Sequence, residues 1–158
     1  MKIEQFVICE GNIAESKRWH EAMLGYAEEI VQALELPYRV VNAATGDLGP
    51  AHAQMYDLEC WVPSEQRYRE NYSDSYFTDW QARRARLRYR DSHGDIRFAH
   101  TLNNTVIATP RIMIPLCEVH QQSDGSIAIP VALRPYLGVS VITGPWKPDE
   151  AGTQPNLG

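Results

Sequence analysis

Two segments of this chain, Tyr56 to Val62 with its alternating polarity and Arg67 to Ser73, are separated only by Pro63-Ser64-Glu65-Gln66. A connection that short cannot cross over to a parallel neighbour, so the pair predicts an antiparallel β-hairpin. Around it, Ile3 to Cys9 and Tyr38 to Asn42 are rich in β-branched and aromatic residues and read as further strands. Asn12 with Glu15 has the form of a capping box. The helix behind it carries Met23, Ala27, Ile30, Val31 and Leu34 on one stripe and is expected to stop at Pro37. Glu15, Glu21, Glu28 and Glu29 lie off that stripe and are expected to face solvent.

Thr45-Gly46-Asp47-Leu48-Gly49-Pro50 is turn chemistry, as is Asp91-Ser92-His93-Gly94-Asp95. Between them Gln81 to Tyr89 begins helically, and Ile96 to Leu102 reads as a strand. Thr105 to His120 is apolar enough for a buried helix, with Pro110 tolerated near its start and Pro115 expected to kink it. Ile127 to Ile129 and Leu133 to Leu137 close the domain, which spans residues 1–143, and residues 144–158 read as a disordered tail. Strands in hairpins with two long helices predict an α+β fold, an antiparallel sheet backed by helices, and argue against a doubly wound sheet.

At 158 residues, 44% apolar and 22% charged, the chain suits one domain with a real core. A net charge of −5 argues against nucleic-acid binding by bulk attraction, although Arg83, Arg84, Arg86, Arg88 and Arg90 are clustered. That cluster reads either as a solvated strip or as a phosphate or RNA contact. Cys9, Cys60 and Cys117 lack metal or disulfide spacing and read as small apolar residues in a reducing compartment.

No glycine-rich phosphate loop is present, so any nucleotide must be held by discrete side chains on a sheet. Glu70 offers a hard oxygen for magnesium or a ribose hydroxyl; as an ordinary hairpin carboxylate it would pair with Arg67 or Arg69. Ser73 would point to the opposite face from Glu70 unless a bulge intervenes. Asn103 and Thr105 are expected at a strand-to-helix junction, as caps or as anion-site residues. Arg111 is the lone charge in an apolar helix and needs either an internal acid or a bound phosphate. Glu4, between Ile3 and Phe6, could read a hydroxyl or ammonium group, or simply face outward.

As an ordered set the segments are more specific than any one of them. Lys2-Ile3-Glu4-Gln5-Phe6-Val7, Leu36-Pro37-Tyr38-Arg39-Val40-Val41-Asn42, Thr45-Gly46-Asp47-Leu48-Gly49 and Tyr56-Asp57-Leu58-Glu59-Cys60-Trp61-Val62-Pro63 come first. Tyr68-Arg69-Glu70, Asp79-Trp80-Gln81-Ala82-Arg83-Arg84, His100-Thr101-Leu102-Asn103, Ser123-Asp124-Gly125-Ser126 and Leu133-Arg134-Pro135-Tyr136-Leu137 follow. From residue 2 to about 142 this order resembles the catalytic domain of the seryl-tRNA synthetases, class II aminoacyl-tRNA synthetases. The resemblance implies a serine–tRNA ligase reaction: ATP-dependent formation of seryl adenylate, then transfer to tRNA(Ser).

It implies a serine-binding set of Glu4, Asn103 and Thr105, and an ATP-binding set of Glu70, Asn71, Tyr72, Ser73 and Arg111. Glu70 and Ser73 would hold Mg2+, and Arg111, the motif 3 arginine, would act with Glu70 in catalysis. The family's motif 1 helix, coiled coil and first motif 2 strand have no counterpart among these segments. The chain is therefore expected to be a C-terminal portion of the catalytic domain, inactive alone. Asp74, Tyr72 and Tyr76 are expected to add charge and bulk near the ATP. A free strand edge at residues 2–9 predicts self-association or pairing with the missing half. The alternative is a non-catalytic synthetase-like binding or oligomerisation module. The implied setting is the cytoplasm or the mitochondrial matrix.

Overall fold

A computed structural model describes residues 1–144 of the chain. Apart from Gly144, the expected tail lies outside the described residues. The order is β1 (Lys2–Cys9), α1 (Ile13–Ala33), β2 (Tyr38–Asn42), β3 (Gln54–Val62), β4 (Arg67–Tyr76) and α2 (Trp80–Ala85). Then come β5 (Arg88–Arg90), β6 (Ile96–Phe98), β7 (His100–Ala108), α3 (Thr109–His120), β8 (Ile127–Ala128), α4 (Arg134–Leu137) and β9 (Val141–Ile142). Five strands form one antiparallel sheet in the order β1-β7-β4-β3-β2, and β5-β6 and β8-β9 form two small hairpin-like sheets. The expected α+β layout is present.

The Asn12 side chain accepts from the backbone N–H of Ala14 at 2.8 Å and of Glu15 at 3.3 Å, which caps α1. The reciprocal half of the capping box does not form, because Glu15 is engaged by Arg18 and by the Trp19 indole N–H. α1 ends before Pro37: Glu35 takes a left-handed conformation at φ 57, and Leu36 N–H closes onto the Val31 carbonyl. Met23, Ala27, Val31 and Leu34 are buried as their spacing requires, and Ile30 packs at the margin. The buried stripe also includes Ser16 and His20, which an apolar periodicity does not reveal.

α1 and α3 cover one face of the sheet. Ala27, Val31, Leu34 and Leu36 meet Leu58, Cys60 and Tyr72 from the strands and Ile112 from α3. Fully burying side chains of this size contributes about 1.5–3 kcal/mol each for the larger ones. A second cluster joins Met23, Tyr76 and Leu102. Between the clusters sits a buried polar pair, His20 and Asp74, both about 1–2% exposed.

The largest departure from the sequence reading is at residues 103–108. They extend β7 instead of opening a helix, and α3 begins only at Thr109. The reason is tertiary: β1 pairs with β7 along its whole length, from Lys2 opposite Ala108 to Cys9 opposite His100. Backbone groups that a helix would satisfy locally are satisfied across the sheet, and Val106 and Ile107 favour that outcome. Pro110 falls in the first turn of α3, where its missing N–H costs nothing, and α3 continues through the buried Pro115. The β5-β6 hairpin docks where β1 meets α1, through a hydrogen bond from Gly11 N–H to the Tyr89 hydroxyl at 3.0 Å. A Cβ at Gly11 would lie 2.7 Å from the Phe98 carbonyl oxygen, so only glycine allows that approach.

Candidate active site on the open face of the sheet

Side chains alternate between the two faces of a strand. In β3, Leu58 and Cys60 enter the core beneath the helices, so Asp57 and Glu59 project from the open face. In β4 the register slips between Leu58 and Glu59: Tyr72 lies opposite Leu58, but Glu70 lies opposite Glu59, leaving Asn71 as the extra residue of a β-bulge. Because of that bulge, Glu70 and Ser73 share the open face with Asp57 and Glu59. Without it they would be on opposite sides.

Ser75 lies opposite Asn103, and Phe6 lies opposite Asn103 on the other side of β7. A second register shift, between Ile3 and Glu4, brings Glu4 opposite Thr105. The Thr105 hydroxyl donates to Glu4 Oε1 at 3.1 Å, and Lys2 Nζ sits 2.5 Å from the same oxygen. The proposed serine set of Glu4, Asn103 and Thr105 is therefore contiguous across β1 and β7. Asn103 and Thr105 are strand residues, not helix caps. The basis for expecting an anion site at a helix N-terminus there disappears.

Arg111, in the first turn of α3, is exposed and not buried in an apolar helix. Its Nη1 donates to Glu70 Oε1 at 2.8 Å, the side chains being 54% and 43% exposed. The partner it takes is an acid, although its exposure removes the burial that would have required one. Arg67 and Arg69, the ordinary candidates for pairing with Glu70, both contact Glu65 at 2.6 Å instead. A half-exposed ion pair of this kind is worth about 0–1 kcal/mol, so exchanging partners costs little. Glu70, Arg111 and Asn71 line a cavity of about 210 Å3 with Val62, Glu65, Arg69 and Ile114. A larger cavity of about 610 Å3 lies between Cys9, Trp19 and Tyr89 and holds none of the expected site residues, so volume alone does not select the site.

Two members of the expected ATP set are buried. Tyr72 is 1% exposed in the core beneath the helices, and the Asn71 side chain is buried, accepting from Cys60 N–H at 3.2 Å. The Tyr72 side chain does not reach the open face, whereas Asn71, though buried, borders the cavity of Glu70 and Arg111. Nor do Asp74 and Tyr76 crowd the open face: both are buried on the helix side, at 2% and 3% exposure. Asp57 is the residue that sequence reasoning missed. Burial, then the neighbouring Glu70 and Glu59 carboxylates, push its pKa up to about 6, with Arg111 opposing, and its Oδ1 is buried without a hydrogen-bond partner. The alternation Asp57-Leu58-Glu59-Cys60 carried the signal, since it places both acids opposite the core residues.

This open face, with one arginine from a helix beside a carboxylate on a bulged strand, is the geometry against which the comparisons stand. Residues 1–120 match the tRNA synthetase class II core domain (G, H, P, S and T). The chain belongs to the class II tRNA synthetase core-domain family. It is 57% identical over 143 residues to the serine–tRNA ligase of Deinococcus radiodurans, covering 90% of this chain and 34% of that protein. The serine–tRNA ligase of Pyrococcus furiosus is 50% identical over 142 residues, with 31% of its length covered. The crystal structure of seryl-tRNA synthetase from Pyrococcus horikoshii complexed with ATP superposes with a TM-score of 0.85 at 48% identity, covering 90% of this chain and 32% of that one. A cytoplasmic serine–tRNA ligase of Naegleria fowleri in complex with AMP gives 0.83 at 38% identity, covering 90% and 33%. The chain thus spans about a third of the length of the synthetases it matches.

Proposed function

We propose that this chain supplies the serine-facing half and one phosphate contact of a serine-activating site, as part of a serine–tRNA ligase. The observation that carries the reading is the gathering of Glu4, Asn103, Thr105, Glu70 and Ser73 on one open face by two register shifts, with Arg111 of α3 reaching Glu70. In the reaction a serine carboxylate oxygen attacks the α-phosphorus of ATP, the bond to the bridging oxygen breaks, and pyrophosphate leaves as seryl adenylate forms. The Glu4 carboxylate accepts hydrogen bonds from the serine ammonium group, and Asn103 and Thr105 stand beside it to orient the serine hydroxyl. Arg111 exchanges Glu70 for a phosphate oxygen and meets the charge that develops in the transition state.

The donor set on this face suits magnesium. Among the described residues no group of three or more His, Cys, Asp or Glu side chains could hold a metal by itself. Magnesium, however, uses one or two carboxylates and takes its other oxygens from phosphate and water. Glu70 and Ser73 would hold it, with Asp57 behind them, and when bound it supplies positive charge to the phosphates. Arg39, Lys2 and Arg111 are each paired with an acid, to Glu59, Glu4 and Glu70, and of these Arg111 is the one that lines the cavity beside Glu70. One arginine on an acidic face does not neutralise a triphosphate, so turnover and tRNA(Ser) charging require the remaining two-thirds of a synthetase.

The test is a chimera. Residues 2–142 of this chain replace the corresponding segment of the Deinococcus radiodurans ligase, and serine-dependent ATP–pyrophosphate exchange is measured. Exchange is expected, falling by about 100-fold or more with Arg111→Gln. A folded chimera without serine-dependent exchange rules the reading out. For the chain as given we also propose self-association through the free edge of β1, supported by Ile3, Phe6 and Ile8, which are 45%, 56% and 53% exposed. A clean monomer by light scattering at high concentration would exclude it.

A further inference from the structure

The arginines of the segment from α2 to β6 are not explained by the site above. β7 runs from His100, beside the β5-β6 hairpin, to Ala108, next to α3. Its eight steps at about 3.3 Å separate the hairpin end from the Arg111 end by about 26 Å. A nucleotide held at Glu70 and Arg111 does not reach them.

Within this segment the acids are already used. Asp79 is paired with Arg83 at 3.3 Å, and Asp91 and Asp95 are both paired with Arg97, at 2.5 and 3.4 Å. Arg84, Arg86, Arg88 and Arg90 have no carboxylate partner among the described residues. Arg84 lies over the Trp80 ring at 3.5 Å and donates to the Trp80 carbonyl. Arg90 donates only to the Gly94 carbonyl, and Arg88 lies 4.9 Å over the Phe98 ring. All four are exposed.

The hairpin also has a defined orientation. Tyr89 is tied to Gly11 through its hydroxyl, and the Leu87 carbonyl accepts from Ala99 N–H, so that side of β5 faces the domain. Arg88 and Arg90 alternate with Tyr89 and have Phe98 and the 53% exposed Ile96 as register partners, and Arg88 also borders the cavity that Tyr89 forms with Cys9 and Trp19. The separation of Arg88 and Arg90, two strand residues, is about 6.6 Å. That is close to twice the 3.4 Å axial rise per phosphate on one nucleic-acid strand. Arg86, the left-handed residue at φ 56 that ends α2, adds a third exposed arginine just before the strand.

We infer that the outward face of the β5-β6 hairpin is a binding surface for the phosphodiester backbone of a nucleic acid, contacted by Arg86, Arg88 and Arg90. Charges of one sign held in a row without internal partners repel one another in the free protein, and backbone phosphates relieve that repulsion by releasing condensed counterions. The surface is separate from the adenylate site and the inference does not depend on serine activation.

The experiment is fluorescence anisotropy of a labelled single-stranded RNA of about 20 nucleotides with the full chain. With three backbone contacts, the slope of log affinity against log salt is about −2, a loss of about 20-fold between about 50 and about 200 mM salt. The combined variant Arg86→Gln, Arg88→Gln, Arg90→Gln, with folding checked by circular dichroism, is expected to lose more than tenfold in affinity. Each single substitution is expected to make the slope shallower by about 0.7, which keeps the test intact if the combined variant does not fold. Arg97→Gln, an arginine neutralised by its own acids, is expected to change affinity by less than a factor of about three. Undiminished binding by the folded combined variant, a salt-independent affinity, or absence of binding at about 50 mM salt would overturn the inference. Equal binding to polyglutamate or to phosphatidylserine vesicles would also overturn it, because the surface would then be a general anion patch.

Discussion

Asp74 is the buried acid whose replacement most sharply tests the packing described above. It lies in the central strand β4, opposite Tyr56 of β3 and Asn104 of β7, with His20 of α1 against it. The His20 ring Nε2 is 3.0 Å from the Asp74 backbone carbonyl but 3.7 Å from its carboxylate, and neither carboxylate oxygen has a hydrogen-bond partner. Burial, with a smaller contribution from Glu21, pushes the Asp74 pKa up to about 8 from an ordinary 3.8. Between those values the folded chain holds a proton that the unfolded chain has released. Stability therefore falls as pH rises, by about 1.4 kcal/mol per pH unit.

Other shifted groups act in different windows. Burial lowers the pKa of His20 and of His100 below 6.5, so their contribution is lost only as pH falls beneath that value. Asp57, raised to about 6, has lost most of its contribution by pH 6.5. From about pH 6.5 to 8 the slope belongs to Asp74 and amounts to about 2 kcal/mol, or about 4–8 °C in Tm for a domain of this size. Asp74→Asn keeps the shape and removes the titration. Thermal melts followed by circular dichroism across that window should show the native protein losing stability and the variant nearly flat. Equal slopes in both proteins would refute the burial argument.

Leu58→Ala, at a 1% exposed position between α1 and α3, is expected to cost about 2–5 kcal/mol in urea unfolding, since the cavity it leaves adds to the lost burial. Asn12→Ala removes both side-chain caps of α1 and should cost about 1 kcal/mol by the same assay.

The sheet was readable because its information is local. The four-residue connection at Pro63 to Gln66 dictated the β3-β4 hairpin, and the Asn12 cap and apolar stripe dictated α1. What escaped was information held between segments. Residues 103–108 carry no helix-breaking signal, and only the full-length pairing of β7 with β1 makes them a strand. The β4 bulge is invisible in Glu70-Asn71-Tyr72-Ser73 taken alone, although it decides that Glu70 and Ser73 share a face while Tyr72 and Asp74 do not. Arg111 does not need a partner on the ground of burial, since its side chain is 54% exposed. Which partner it takes depended on β4 and α3 meeting, a fact no spacing rule contains.

The central claim is that one open face of this sheet recognises serine joined to a nucleotide phosphate. Isothermal titration of the chain with a non-hydrolysable seryl-adenylate analogue tests it most directly. The account predicts a Kd in about the micromolar range, weakened by Glu4→Gln and by Arg111→Gln. No heat at high protein concentration, from a chain shown to unfold cooperatively, would contradict it and leave a synthetase fold without its chemistry.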